Sequence, residues 1–515
     1  MTKDAAFTAK DRQTFQALGL TKRDVAHQLA LYTQGPRFLD LQRPCTVGDG
    51  ILSIGATRKK KLIERYEDEA GKFRILKFVP ASGAASRMFA RWYAAAGQGC
   101  FGKPMLDREF WRGLKKMPFF SEIVQSEEAR AFLAKKDIEG MLHYILLEDG
   151  LQYGWLPKAL IPFHACGDAT PARAIEEHLT EAAWLVKNKR GQCRLHFTVS
   201  AEHVGAIKKR LKQSVPRYEN KHGVRFKIDL SVQSPSSNRL AVDERKQPFR
   251  DPGGSLVFRP GGHGALLANL NTLEADLIFV KNIDNVVPET RLPKILPYKK
   301  MLGGLALEIR EAVFSALDDL DTGRVSPADI ARLTDFCRQT FFMDFGSDFD
   351  KATLAEKKKT LFLLLHRPLR ICGMVRNEGE PGGGPFWVAG KDKTQTVQIV
   401  ESAHVDSSNP RQAAVWSSAS YFNPVDMVCC IRDFRDRLFD LQKYVDPDAY
   451  LISAKTEKGR TLLAQELPGL WNGGMARWNT IFVELPINVF NPVKTVDDLL
   501  RPQHQSSGKK KKIKA

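Results

Sequence analysis

The stretch FRILKFVPASGAASRMFARWYAA, residues 73–95, decides the fold. The apolar run from Ile75 to Val79 has the length and continuity of a strand buried on both faces. A loop of small residues follows, and Arg87 to Ala96 carries a helical pattern. Strand, loop and helix together make one unit of an α/β fold. Further along, KALIPF (158–163), RLHFTVS (194–200) and VRFKIDLSV (224–232) read as strands, separated by helices through Glu176–Leu185 and Val204–Leu211. LIFVKNIDNVV (277–287) is an apolar run ending in Asn-Ile-Asp-Asn, the look of a central strand entering a site. Such alternation predicts an α/β fold with a mainly parallel sheet and helices on both faces, and sheets of this kind bind ligands at the carboxyl ends of their strands.

Around this core the chain divides into further blocks. Residues 1–70 are expected to form an N-terminal helical cap, in which Thr21 and Asp24 make a capping-box pattern and Gly35-Pro36 stops the helix. Residues 71–300 are the α/β core, with a helical insertion at 100–155. A second helical insertion covers 301–366, a strand-rich C-terminal half covers 367–502, and 503–515 is a basic tail.

Composition bounds the function. With 515 residues, 43% hydrophobic and 27% charged, the chain can bury a large core in two or three domains. It holds no stretch of about eighteen apolar residues and its first residues lack the apolar core of a secretory signal. A cytoplasmic protein without a membrane partner is the expectation. The eight cysteines, at 45, 100, 166, 193, 337, 372, 429 and 430, show no Cys-x-x-Cys spacing, which predicts reduced and mostly buried thiols. Lys and Arg number 78 against 59 Asp and Glu, a formal charge of +19. That surplus suits nucleic acid, anionic lipid or a polyphosphate site. Part of it sits in RKKK (58–61) and GKKKKIKA (508–515), runs of the solvated kind. No helix-turn-helix, zinc-finger or RNA-recognition pattern accompanies it, so nucleic acid is not the expected partner.

The loop Pro80-Ala81-Ser82-Gly83-Ala84-Ala85-Ser86-Arg87 offers backbone N–H groups that can turn toward phosphate oxygens. A simple packing turn has the same composition, and the loop is not a P-loop because no Gly-Lys-Ser/Thr follows. Its company sharpens the reading: Pro157-Lys158 before ALIPF, RPGGHGALLANLN (259–271), NIDNVV, QIVESAHV (398–405), SYFNPVDMV (420–428) and NPVKTVDDLL (491–500) follow in order. In that order the chain resembles the UDP-sugar pyrophosphorylases, of both UDP-glucose and UDP-N-acetylglucosamine types, whose fold is the nucleotide-diphospho-sugar transferase (GT-A, Rossmann-like) α/β fold. With RPGGHGAL, NIDNVVP, GEPGGGPFW (379–387) and FNPVK it most resembles the bacterial domain-of-unknown-function 4301 proteins.

The resemblance implies a nucleotidyltransferase that joins a nucleoside triphosphate, UTP favoured, to a sugar 1-phosphate and releases pyrophosphate. Arg87 and Lys158 then meet the triphosphate, and Lys494 meets the attacking phosphate. Ala81, Ser82, Gly83, Ala84, Ala85 and Ser86 line the phosphates, and Gly261, Gly262, His263 and Gly264 close around base and ribose. Gly373, Glu401 and Asn423 lie near the hexose hydroxyls, and Asp284 holds Mg²⁺ or Mn²⁺. Two departures stand out. Ser82 and Ala85 replace glycines of the family loop, and about seventy residues separate Arg87 from Lys158 where the family has roughly ten, which requires 100–155 to be an insertion. A nucleotide-sugar binding protein without turnover, or a basic nucleic-acid-binding protein, are the alternative readings.

Overall fold

Strand β1, Ile75–Pro80, is buried along its length up to Pro80, as an apolar segment covered on both faces must be. It runs parallel to β2 (Gln192–Val199), and β2 runs parallel to β3 (Arg225–Val232). On the other side of β1 lies β4 (Leu277–Lys281), so the order is β4-β1-β2-β3. β3 is an edge and is built as one: Arg225, Lys227 and Asp229 are exposed in alternation with half-buried Phe226, Ile228 and Leu230. These strands belong to a compact unit made of Lys61–Val232, Ile278–Met301 and Ile487–Ala515. The computed structural model describes residues 7–147, 149–165, 170–380, 382–390, 394–457 and 459–505; Cys166 and the tail 508–515 lie outside them.

Between β1 and β2 the chain makes a helical excursion, as expected for 100–155: Pro104–Leu114, Phe120–Ile123, Glu127–Lys135 and Ile138–Leu146. Several boundaries differ from the sequence reading. The helix expected from Arg87 starts at Ala90, because residues 86–89 form turns. KALIPF is a 3-10 turn at Lys158–Leu160 followed by the short strand Pro162–His164. The helix expected to end near Leu211 runs from Val204 to His222 and stops at Gly223, whose φ of 60° caps it. Its buried stripe continues through Leu211, Ser214 and Tyr218, a continuation that Pro216 and the surrounding basic residues hide in the sequence.

The other unit comprises Met1–Lys60, Gln233–Leu277 and Leu302–Pro486. In it Gly50–Leu52 pairs parallel with Asn479–Glu484, which pairs parallel with Leu369–Arg376. Asp426–Cys430 is antiparallel to the last of these. A separate antiparallel sheet joins Leu41–Pro44, Gly384–Ala389 and Gln395–Val400, so the expected cap 1–70 contains strands as well as helices. Its helix Lys22–Gln34 has the Thr21–Asp24 capping box and ends at Gly35. The later part of helix Leu292–Asp321 and helices Pro327–Phe341, Gly346–Lys351 and Leu354–Leu365 fill most of 301–366. The two units therefore cut across the continuous blocks read from sequence: 233–277 belongs with 302–486, and 487–515 with 61–232. Cys45, Cys193, Cys337, Cys372, Cys429 and Cys430 are free and buried, and burial pushes the Cys193 thiol up to about 12. No helix among the described residues is long and apolar enough to cross a membrane.

Helix Ala174–Leu185, AIEEHLTEAAWL, departs furthest from its surface-like composition, since every residue except Trp184 is buried. Each carboxylate is paired, as buried charge requires. Glu176 meets Arg210 at 2.8 Å and Glu177 meets His164 at 2.8 Å. Glu181 receives Lys77 at 3.0 Å and Lys281 at 2.6 Å, with Lys299 at 3.8 Å. Burial, reinforced by Lys281 and Lys299, depresses Lys77 to about 7 against the pull of Glu181. The folded protein thus holds this proton less tightly than the unfolded chain. Between about 7 and the ordinary 10.5 the unfolded state carries more protons, so stability rises with pH. Melting temperatures taken from pH 7 to pH 9 are expected to rise in the wild type and to rise less in Lys77→Met; equal slopes in the two would refute the assignment.

Candidate functional site

Backbone hydrogen bonds tie four separate segments of the β1–β4 unit together. Ile283 N–H donates to Pro80 O at 3.3 Å, which joins the loop after β4 to the loop after β1. Lys158 N–H donates to Gly83 O at 3.0 Å and Ala85 N–H to Leu156 O at 3.2 Å. Val493 N–H donates to Asp284 O at 3.0 Å, and Asn491 N–H to the Asn285 side chain at 2.9 Å. Behind them His178 Nε2–H donates to Ile283 O at 3.2 Å from the buried helix. The helical excursion therefore returns Lys158 to the loop of Arg87, as the resemblance requires.

The side chains converge on one carboxylate. Asp284 Oδ2 accepts from Lys158 Nζ at 2.9 Å and from Lys494 Nζ at 3.0 Å, while Lys158 Nζ also donates to Val493 O at 2.9 Å. The side chains of Lys158 and Asp284 are 11% and 9% exposed and that of Lys494 is 47% exposed, so Lys494 is the one solvent reaches. Burial alone would raise the Asp284 carboxyl, but Lys494 and Lys158 outweigh it and hold it below its ordinary 3.8. Lys158 is lowered by burial first and then by the repulsion of Lys494 and Arg87, with Asp284 opposing. Two cations thus share a single anion, with Arg87 near enough to Lys158 to repel it, and this surplus favours a further anionic group.

Arg87, Ser86, Gly83 and Ala84 are exposed, Ser82 is half-buried, and Ala81 and Ala85 are buried. Among the described residues the N–H groups of Ser82, Gly83 and Ala84 have no backbone acceptor. Because the following helix starts only at Ala90, this loop offers individual N–H groups and not a helix end. The run IFVELPINVF (481–490) reads in sequence as a strand that presents Lys494 at its end, but Asn479–Glu484 stops well before Lys494 and lies in the other unit. That lysine is held by Asp498 Oδ2, which accepts from the N–H groups of Lys494 at 2.9 Å and Thr495 at 2.7 Å. Among the described residues no group of three His, Cys, Asp or Glu side chains is placed to hold a metal. Asp284 Oδ1 is buried without a hydrogen-bond partner.

The remaining candidates lie in the other unit. Gly262 has φ of 71°, and a Cβ on Gly261 or Gly264 would meet Ser237 O at 2.4 Å or Pro468 O at 2.1 Å. Close backbone approach explains Gly261 and Gly264, and the left-handed φ explains Gly262. His263 stacks on Trp471 with ring centroids 4.2 Å apart, and its Nδ1 accepts from Leu470 N–H at 3.1 Å. Its Nε2 lies 3.7 Å from Glu401 Oε1. Asn423 donates its N–H to Gly383 O at 2.8 Å and accepts from Val425 N–H at 3.1 Å. Gly383 also neighbours Glu401, so Asn423 and Glu401 flank the same glycine. Gly373 stands apart: a Cβ there would meet Leu485 at 2.3 Å, so it is a packing position in the strand Leu369–Arg376. Sequence reasoning passed over Trp471 and Asn472, although WNGG (471–474) is a small-residue cluster of the same kind as 261–264.

The family described as Domain of unknown function (DUF4301) matches residues 8–505. Among curated proteins none matches. Of solved structures, the UDP-glucose pyrophosphorylase from Leishmania major, in its open and closed structures, is 13% identical, with 98% of this chain and 80% of that chain covered and a TM-score of 0.47. The uridine diphosphate N-acetylglucosamine pyrophosphorylase from Trypanosoma brucei, in complex with inhibitor, is 11% identical over 96% and 79%, with a TM-score of 0.48. Such likeness assigns no residue and no substrate.

The two lysines differ in what they risk when Asp284 is neutralised. Asp284→Asn strands Lys158, buried, without its anion, and breaking a pair of this kind costs on the order of 3 kcal/mol. Lys494→Ala removes a half-exposed partner and should cost less than about 1 kcal/mol. Because the folded-state pKa of Asp284 lies below 3.8, its contribution is present above the ordinary carboxylate range and is lost as pH falls below it. Urea midpoints for the three proteins should separate in that order at pH 7 and draw together in acid; an Asp284→Asn midpoint equal to wild type at pH 7 would contradict the pairing.

Proposed function

The chain belongs to the family described as Domain of unknown function (DUF4301), and we propose that it is a nucleotidyltransferase of the sugar-phosphate pyrophosphorylase type. One observation carries this: Lys158 and Lys494, drawn from distant parts of the sequence, meet at Asp284, with Arg87 near enough to Lys158 to repel it and with the N–H groups of Ser82, Gly83 and Ala84 lacking backbone acceptors in the adjoining loop. A phosphate chain asks for that combination of fixed cations and backbone donors. The ordered motifs that resemble the UDP-sugar pyrophosphorylases supply the reaction, and UTP is the favoured nucleotide on the same ground.

The chemistry needs little covalent help. An oxygen of the sugar 1-phosphate attacks the α-phosphorus in line, the bond from that phosphorus to the bridging oxygen of the β-phosphate breaks, and pyrophosphate leaves with the electron pair. No general base is called for, since the attacking phosphate is already ionised. What this chain contributes is positioning and charge neutralisation. The N–H groups of residues 82–84 and Arg87 hold the triphosphate. Lys158, anchored by Val493 O and Asp284, is a fixed charge. Lys494 is solvent-accessible at 47%, so it can turn from Asp284 toward the incoming phosphate and offset repulsion between two anions. Asp284, with Oδ1 lacking a partner, would be the protein oxygen for Mg²⁺ or Mn²⁺, phosphates and water completing the shell as is usual at nucleotides. Such an ion would add charge neutralisation at the phosphates.

Pyrophosphate release from a panel of nucleoside triphosphates with several sugar 1-phosphates tests the reading. Release should require both substrates. Lys494→Ala should lower kcat by at least about a hundredfold, the loss of one preorganised charge, with nucleotide affinity little changed. Lys494→Arg should recover only part, because a planar fork does not take the place of a compact ammonium. Near-normal turnover in Lys494→Ala would sink the mechanism, and tight nucleotide binding without release in the wild type would favour a binding protein.

A further inference from the structure

Strand β3 ends its sheet and is bonded along one side only, to β2. Arg225 N–H donates to Gly191 O at 2.8 Å, and the parallel register sets Lys227 opposite Arg194 and Asp229 opposite His196. The main chain of Arg225, Lys227 and Asp229 therefore points at β2, and by alternation Phe226, Ile228 and Leu230 turn their N–H and C=O groups to the free side. Phe226 N–H is taken by Glu219 Oε1 at 2.8 Å. Among the described residues the N–H groups of Ile228 and Leu230 have no acceptor. Open main chain of this kind is a template for another strand.

The side chains say which strand fits. Lys227 and Asp229 are exposed on one face, and Phe226, Ile228 and Leu230 are half-buried on the other. Among the described residues neither Lys227 nor Asp229 makes an ion pair, whereas Arg225 beside them is paired with Glu219 at 3.0 Å. The segment Phe226-Lys227-Ile228-Asp229-Leu230 is complementary to its own reverse. Laid antiparallel on a second copy about Ile228, it sets Lys227 against the partner's Asp229, Phe226 against the partner's Leu230 and Ile228 against the partner's Ile228. Two-fold symmetry repeats each unlike contact. The bonding groups agree, since Ile228 N–H then faces the partner's Ile228 O and Leu230 N–H the partner's Phe226 O.

Other registers fail on charge. The smallest shift that keeps the outward groups opposed brings Lys227 onto the partner's Lys227, or Asp229 onto the partner's Asp229, and like charges directly opposite are unfavourable. The charges that turn most strands away from this edge thus admit one strand in one register. We propose that the chain forms a two-fold dimer through β3, antiparallel about Ile228, with Lys227 of each copy paired to the partner's Asp229. The dimer is independent of the reaction proposed above.

Sedimentation velocity on the full chain tests it. A single strand pair is a small interface, so the wild type should pass from monomer to dimer between about 1 and 100 μM. Asp229→Lys and Lys227→Asp each place like charges face to face, and each should raise the dissociation constant at least about tenfold. The double variant, Lys227→Asp with Asp229→Lys, restores opposite charges and should return association to near the wild-type level, a recovery that damage to the fold could not give. A wild type that stays monomeric throughout the range would overturn the proposal. So would a dimer that neither single substitution weakens, or a double variant that associates no better than the single ones.

Discussion

A carboxylate buried as deeply as Asp284 must be paired, and the pairing organises everything around it. Its partners come from residues 158 and 494, so the helical excursion and the last described segment have to return to the end of β4. The backbone follows the same constraint. Val493 N–H reaches Asp284 O, Lys158 N–H reaches Gly83 O, and Ile283 N–H reaches Pro80 O. Each contact fixes one segment against another, so the site is assembled by main chain and only then charged by side chains.

Much of this was legible. The buried strand at 75–80 shows in its unbroken apolar run, and the polar ending NIDN marks the place where β4 gives out. Lys158, Asp284 and Lys494 were found as parts of ordered motifs, and they meet. How Lys494 is held was not legible: the motif suggested a strand end, whereas the work falls to the Asp498 cap, a local hydrogen-bond pattern. The sequence marks 176–185 only as a helix and says nothing of its burial; the fold alone reveals Arg210, His164 and Lys77 paired with its Glu residues. Which segments pack together was hidden too, since 233–277 and 487–515 each leave their sequence neighbours. Periodicity reports the faces of single elements and carries nothing about such exchanges.

The charge of the chain divides along similar lines. A surplus of +19 names no function while part of it sits in runs such as RKKK at 58–61. What matters is where charge is fixed. At Asp284 two lysines share one anion, with Arg87 repelling Lys158, and burial lowers the dielectric in which they act. Around His263 the balance is reversed, with Glu401 and Glu466 near a neutral imidazole. The two clusters differ in the sign of the charge they concentrate, and neither shows in a net charge summed over the chain.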